Sequence, residues 1–429
     1  MQHSKIKSFL KLLIANILVF FAIAIIIEIG GQVYSYLNPS YKILPFAPHP
    51  VLGWRFIPNS EHIMTGNHWY AREFSAKIKI NSHGFRDFER TIKKDKNTIR
   101  IAILGDSMIA GRQLDFEKTA GQLLEEKLKK EFSAKTGKNF EVLNFGVPGY
   151  GIDQMLLNWK HYASKFNPDF VFMYVFEKNY IRTISSVWCQ RGFLGVDNLG
   201  KNKCLNIRPL PSIDAKPPII LNKKNWSNID TLETSGKLKD VLILLEKLPL
   251  HINPPLDYET FILQQKKFIK KELNGKRMKK EPRKIFLLDI YSKIKNKITT
   301  KKSVAEENKL RQKKYSGKTK HFPSWNKTNI VNLKLLQHLG NLIKNNGYFI
   351  IIDSFQFHNS ANPSTQFASK WLKILSRYSN FGYLPLYEKL NISKDQGNSP
   401  RWKYNAHLNK TGNEILANSM FGFLEKKLN

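Results

Sequence analysis

The chain has 429 residues, enough for one large or two ordinary domains, and its 42% hydrophobic and 12% aromatic content excludes disorder throughout. A formal net charge of +35 points to an anionic partner or to a lysine-rich solvated surface. Most of that excess is lysine, whereas bidentate reading of guanine favours arginine, so sequence-specific DNA recognition gains little support.

Residues 9–29, FLKLLIANILVFFAIAIIIEI, are apolar except for Lys11, Asn16 and Glu28. Twenty-one residues at ~1.5 Å rise reach ~30 Å, the thickness of the hydrocarbon core. A cleaved signal peptide would have a shorter apolar core and a small-residue cleavage site; this run predicts an uncleaved transmembrane anchor. Lys5, Lys7 and Lys11 place residues 1–8 in the cytoplasm and the bulk of the chain outside it, periplasmic or at the cell surface. Residues 30–96 read as an irregular juxtamembrane segment punctuated by LNPS, PFAPHP and IPNS, with a short strand in AKIKINSHGFRD.

From residue 98 buried strands alternate with amphipathic helices. IRIAIL is a strand, and TAGQLLEEKLKKEF is a helix with Thr119 and Gln122 spaced as a capping box. FEVLNFG, GIDQMLLNWKHYAS and PDFVFMYVF continue as strand, helix and strand. Much later, NIVNLKLLQHLGNLIKNNG, YFIIIDSF, FASKWLKILSRY, YLPLY and TGNEILANSMFGFLEKKL repeat the pattern. Such alternation predicts an α/β fold with a doubly wound, mostly parallel sheet and flanking helices, over residues 97–182 and 327–429. Residues 183–326 form a Lys-rich insertion, which holds Cys189 and Cys204. Those two thiols either close a loop as a disulfide in an oxidising compartment or stay unpaired; a metal site there lacks histidines.

Ligands on such sheets bind beyond the carboxyl ends of the strands, where Ser107, Gly146 and Asn179 fall. A serine at the strand-to-helix turn in RIAILGDSMIAG is either a helix cap or a nucleophile. As a nucleophile it needs a base, and His407 in NAHLNKTG, before the last helix, is the candidate.

GDSMIAG, NFGVPGYG, FEKN and NAHLNKTGNEILA, in this order, resemble the four blocks of the SGNH/GDSL hydrolase family. LGWRFIPN and INSHGFRD resemble the juxtamembrane lead of its membrane-anchored bacterial members, so that the likeness covers about 49–182 and 327–429. The resemblance implies a flavodoxin-like SGNH fold. In it Ser107 is nucleophile and backbone oxyanion donor, Gly146 and Asn179 are further donors, His407 is general base, and no cofactor or metal is needed. The family usually places Asp two or three residues before the histidine; here Asn405 and Tyr404 stand there, leaving Asn405 to orient the ring as an amide, with Asp395 as an upstream substitute. The implied activity is cleavage or transfer of O-acyl groups, chiefly O-acetyl groups, of an envelope or secreted polysaccharide. A lipid ester, or a catalytically impaired scaffold that binds anionic polymer, is the alternative. The partners expected are an acylated carbohydrate or lipid and the membrane, with no specific nucleic acid.

Overall fold

The computed structural model describes residues 2–37, 41–43, 46–68, 71–184, 208–213, 223–255, 259, 262–263, 278–280, 285–288, 290–291, 325–358 and 363–429. Cys189, Cys204 and most of the Lys-rich stretch lie outside the described residues. Two compact units are present, one of residues 1–42, 67–72 and 278–320, the other of residues 43–66, 73–277 and 321–429.

The first unit contains α1 (Gln2–Leu37), longer than the apolar run at its centre. Among the described residues it is the one helix long and apolar enough to cross a membrane, over Lys7–Tyr34. Phe9, Leu12, Leu18, Phe20, Ile26 and Ile29 are all exposed, so the helix is apolar on every side, as a span requires. Glu28, the one acid in this run, accepts hydrogen bonds from Gln32 Nε2 at 2.7 Å and from the backbone N–H groups of Phe286 and Leu287 at 2.7 and 3.0 Å. Its carboxylate thus satisfies the first amides of a helical turn, which offsets the cost of an acid in an apolar stretch.

In the second unit, β1 (Phe46–His49) pairs antiparallel with β2 (Gly53–Phe56); β3 (Glu61–His68) and β4 (Ala71–Lys79) form a two-stranded sheet of their own. Although this segment reads as an irregular lead, Phe46, Leu52, Trp54, Phe56, Ile78 and Ile80 are buried in the main core.

Then come β5 (Thr98–Gly105), α2 (Ser107–Ala110), α3 (Ala120–Leu128), β6 (Asn139–Gly146), α4 (Ile152–His161), β7 (Phe170–Val175) and α5 (Glu177–Thr183). Helices α6 (Lys223–Thr234) and α7 (Leu238–Lys247) follow, then α8 (Trp325–Lys344), β8 (Tyr348–Asp353), α9 (Pro363–Ser379), β9 (Gly382–Pro385), α10 (Leu386–Asp395) and α11 (Lys410–Leu428). Strands β9, β8, β7, β5 and β6 form, in that order, one five-stranded sheet in which every pair is parallel. This is the flavodoxin-like order, and the chain reverses direction of travel across the sheet at β5.

Both faces of the sheet are covered, which is why its strands read as nearly unbroken apolar runs. Ala102, Leu104, Leu143, Met173 and Ile351 face α4, α8 and α9 through Met155, Leu336 and Trp371. Ile101, Ile103, Val142, Phe172 and Ile350 face α3 and α11 through Leu124, Leu416 and Met420. Inside the insertion, Ile229 of α6 and Val241, Leu242 and Leu245 of α7 join the first of these layers, and Gln337 Nε2 of α8 donates to the Leu242 carbonyl at 3.1 Å.

The capping box expected at Thr119 does not form. Thr119 is the N-cap, but its hydroxyl donates to the Phe116 carbonyl at 2.6 Å. The free N–H of Ala120 is satisfied instead by Asn413 Oδ1 of α11 at 3.0 Å, a partner supplied by tertiary packing.

Candidate active site

Strand β5 delivers Asp106 and Ser107 to the carboxyl edge of the sheet. Asp106, not Ser107, caps the single turn α2: its Oδ1 accepts from the Met108 N–H at 3.0 Å, and its carbonyl accepts from Ala110 N at 3.0 Å. The serine hydroxyl is therefore free of capping duty. Gly111 closes the turn onto the Ser107 carbonyl at 3.2 Å with φ 58, a left-handed conformation that favours glycine.

Ser107 Oγ lies 2.8 Å from His407 Nε2. His407 sits in the loop before α11, where an isolated antiparallel bridge joins Arg401 to Leu408. Its other ring nitrogen, Nδ1, lies 2.6 Å from Asn405 Oδ1, and the same oxygen is 3.1 Å from the backbone N of His407. A backbone N–H can only donate, so the Asn405 atom facing it is the acceptor oxygen. Nδ1 must then carry a proton to share that oxygen, and Nε2 is left with its lone pair toward the serine. One amide side chain thus selects the tautomer that a general base requires. Asp395, the upstream alternative, is exposed at the end of α10, and Asn405 occupies the ring nitrogen it would have served.

Burial pushes the His407 pKa down to about 4; Asp106 opposes that shift, while the cations Arg112, Lys178 and Arg182 add to it. The imidazole is therefore neutral across the physiological range. Asp106 is itself fully buried and pairs with Arg182 Nη1 at 2.6 Å. The same Arg182 nitrogen donates to the Tyr150 carbonyl at 3.3 Å, which ties the turn after β5 to the loop after β6.

Gly146 does not present a free donor, which corrects the sequence expectation. Its N–H is spent on Asn144 Oδ1 at 2.9 Å, while Asn144 Nδ2 donates to the Ile109 carbonyl at 3.0 Å. A Cβ at Gly146 would lie 2.4 Å from Ala110 N, so this glycine serves the close approach of β6 to α2. Three residues on, Gly149 adopts φ 85; its N–H has no hydrogen-bond partner among the described residues, and its carbonyl accepts from Arg208 Nη1 at 2.9 Å. The Pro-Gly pair in NFGVPGYG is the sequence signal for that turn.

Asn179, fully buried in the first turn of α5, accepts from Phe176 N at 3.0 Å through Oδ1 and donates to the Tyr150 carbonyl at 2.9 Å through Nδ2. One Nδ2 hydrogen remains for another acceptor. Arg182 lies one helical turn beyond it, and Arg208 pairs with the buried Asp153 at 3.1 Å. Sequence reading singled out neither arginine, because their partners lie far away along the chain. No group of three His, Cys, Asp or Glu able to hold a metal occurs among the described residues.

No family model matches the chain, and no curated protein matches it significantly. Its fold is similar to solved structures of GDSL lipolytic proteins and acetyl xylan esterases. A member of the lipolytic protein G-D-S-L family from Veillonella parvula is 10% identical, with a TM-score of 0.35 over 76% of this chain and 99% of that one. The acetyl xylan esterase AlAXEase is 12% identical, with a TM-score of 0.35 over 76% and 100%. A lipase/acylhydrolase from Enterococcus faecalis is 10% identical, with a TM-score of 0.34 over 77% and 96%. Likeness at this level assigns no role to any residue; the roles rest on distances within this chain.

Proposed function

We propose that this protein is a membrane-anchored serine esterase or acyltransferase of SGNH type, acting on O-acyl groups, chiefly O-acetyl groups, of an envelope or secreted polysaccharide. The observation that carries this reading is the 2.8 Å contact between Ser107 Oγ and a His407 ring whose tautomer Asn405 fixes. Ser107 Oγ attacks the ester carbonyl carbon while its proton passes to His407 Nε2. The tetrahedral oxyanion is held by the Ser107 backbone N–H, the free Gly149 N–H and the remaining Asn179 Nδ2 hydrogen. Collapse breaks the bond to the alkoxy oxygen, which leaves as an alcohol carrying the proton from Nε2. Water, or a sugar hydroxyl in transfer, then gives a proton to Nε2 and attacks the acyl-serine. Collapse breaks the acyl bond to Ser107 Oγ, which takes the proton back from Nε2, and releases the free acid or the new ester.

Asn405 orients the imidazole without supplying the negative charge that would stabilise its protonated form. Without that charge the imidazolium formed on attack is less stabilised than in a triad, so a slow enzyme is expected. The test is turnover of a chromogenic acetyl ester by the full chain and by Ser107→Ala, with the covalent acyl-serine sought by mass spectrometry. Turnover confined to the native serine supports the proposal. Equal background from both proteins supports the second reading, a catalytically impaired scaffold, which Asn405 in place of a carboxylate favours.

A further inference from the structure

Arg112 follows Gly111 directly, five positions past Ser107. The loop that carries it is pinned by Arg86, whose buried guanidinium donates to the carbonyls of Ala110 (3.1 Å), Gly111 and Leu114 (2.5 Å). Arg112 itself is half-buried, with its guanidinium carbon 5.4 Å from the Phe46 ring centroid. No carboxylate among the described residues pairs with it, and its Nε is buried without a hydrogen-bond partner. Among the described residues the 3%-exposed His62 likewise has no hydrogen-bond partner for Nε2, nor Arg86 for Nε. Burial, reinforced by the positive field of Arg112 and Arg86, pushes His62 down to about 3. Lys178, exposed on α5, also has no acidic partner among the described residues. Arg112 directly follows Gly111, whose N–H closes the turn onto the Ser107 carbonyl, and Lys178 directly precedes Asn179 in the first turn of α5, so both cations lie on the elements that carry the reacting groups. Arg182, the third cation there, is already neutralised by Asp106.

A desolvated guanidinium without a counter-charge is costly, and a ligand anion removes that cost. The ring contact covers the guanidinium face and leaves its N–H edges to donate, an arrangement suited to bidentate capture of an oxyanion. We propose that Arg112, with Lys178, forms a subsite beside Ser107 and His407 that holds a carboxylate or phosphodiester of an acidic glycan, next to the O-acyl group that is cleaved. This deepens the esterase reading and rests on it for the acyl half alone. The net charge of +35 would gather such a polyanion at the surface, but Arg112 gives the contact its position.

The test is calorimetric titration of the full Ser107→Ala chain in detergent, at an ionic strength that suppresses long-range attraction by the net charge while leaving direct contacts in place. The probes are trigalacturonate, a glycerol-phosphate trimer, neutral xylotriose and glycerol 3-phosphate. Binding of one acidic trimer and not of xylotriose is expected, and whichever binds identifies the anion. Adding Arg112→Gln should weaken it by at least about ten-fold, the scale of a lost charge-assisted hydrogen bond. Arg112→Lys should recover part of the loss, and Lys239→Gln on α7 should change nothing. If Arg112→Gln unfolds, Arg112→Lys and Lys178→Gln decide in the same assay, each expected to bind more weakly than the parent. Equal binding by parent and Arg112 variants, binding of neither acidic trimer, or binding of glycerol 3-phosphate alone as a lipid headgroup would overturn the proposal. These arms need no turnover, so failure of the chromogenic ester assay would sink the esterase and leave the anion subsite to be judged separately.

Discussion

His407 Nε2 and Ser107 Oγ stand 2.8 Å apart although 300 positions separate them in the chain. Replacing either, Ser107→Ala or His407→Ala, should lower turnover of an acetyl ester by roughly 10⁴-fold or more. Because the two act as a unit, the double variant should be no slower than the worse single one. Steady-state kinetics on all three proteins check this; additive losses would mean that the groups act independently.

Asn405→Asp should raise turnover about ten-fold or more, since a carboxylate stabilises the imidazolium formed when Ser107 attacks. Asn405→Ala should lower it, because Nδ1 would lose the acceptor that fixes the tautomer. Compared under identical conditions, the order Asp above Asn above Ala is the expected result.

The pH profile follows from burial of His407. Only the neutral ring accepts the serine proton, so kcat/KM should hold down to an acid limb near pH 4, where the buried imidazole protonates. Asn405→Asp should move that limb upward, and so should Arg112→Gln, since the Arg112 cation helps to hold the pKa down. Stability is expected to divide between opposing groups. His62 and His407 bind protons more readily unfolded than folded and lower the unfolding free energy as pH drops from about 6.5 toward 4. The buried Asp87 and Asp153, raised to about 7 and about 6 by desolvation, raise it over the same window. A His62→Gln, His407→Gln double variant should therefore lose less stability toward acid than the parent. Denaturant titrations at several pH values read this directly.

Arg182→Gln leaves the buried Asp106 carboxylate without its counter-charge. Breaking such a pair costs about 3–5 kcal/mol, so the midpoint of denaturant unfolding should drop markedly. Asp106→Asn added to Arg182→Gln should restore part of the loss, because no uncompensated charge then remains.

Helix α1 predicts that the full chain stays with membranes after alkaline extraction, and that a reporter at the C-terminus is found outside the cytoplasm. A soluble chain, or a cytoplasmic reporter, would remove the anchor from the proposal.

Apolar patterning along the chain is enough to predict the parallel sheet, because strands covered on both faces must be apolar throughout and the helices between them must show one apolar stripe. The sequence also named Ser107, His407, Asn179 and Asn405, each of which lies in a short block with its own local pattern. Hydrogen-bond partners were another matter. That the Gly146 amide turns to Asn144, that Asn413 rather than Gln122 serves the start of α3, and that Trp54 and Ile78 belong to the main core were decided only by tertiary structure. The same holds for the pairing of Arg182 with Asp106 and for Arg112, which has no carboxylate partner among the described residues. Periodicity records which face of an element avoids water, but a buried polar group is satisfied by whatever the folded chain brings within about 3 Å, from any distance along it.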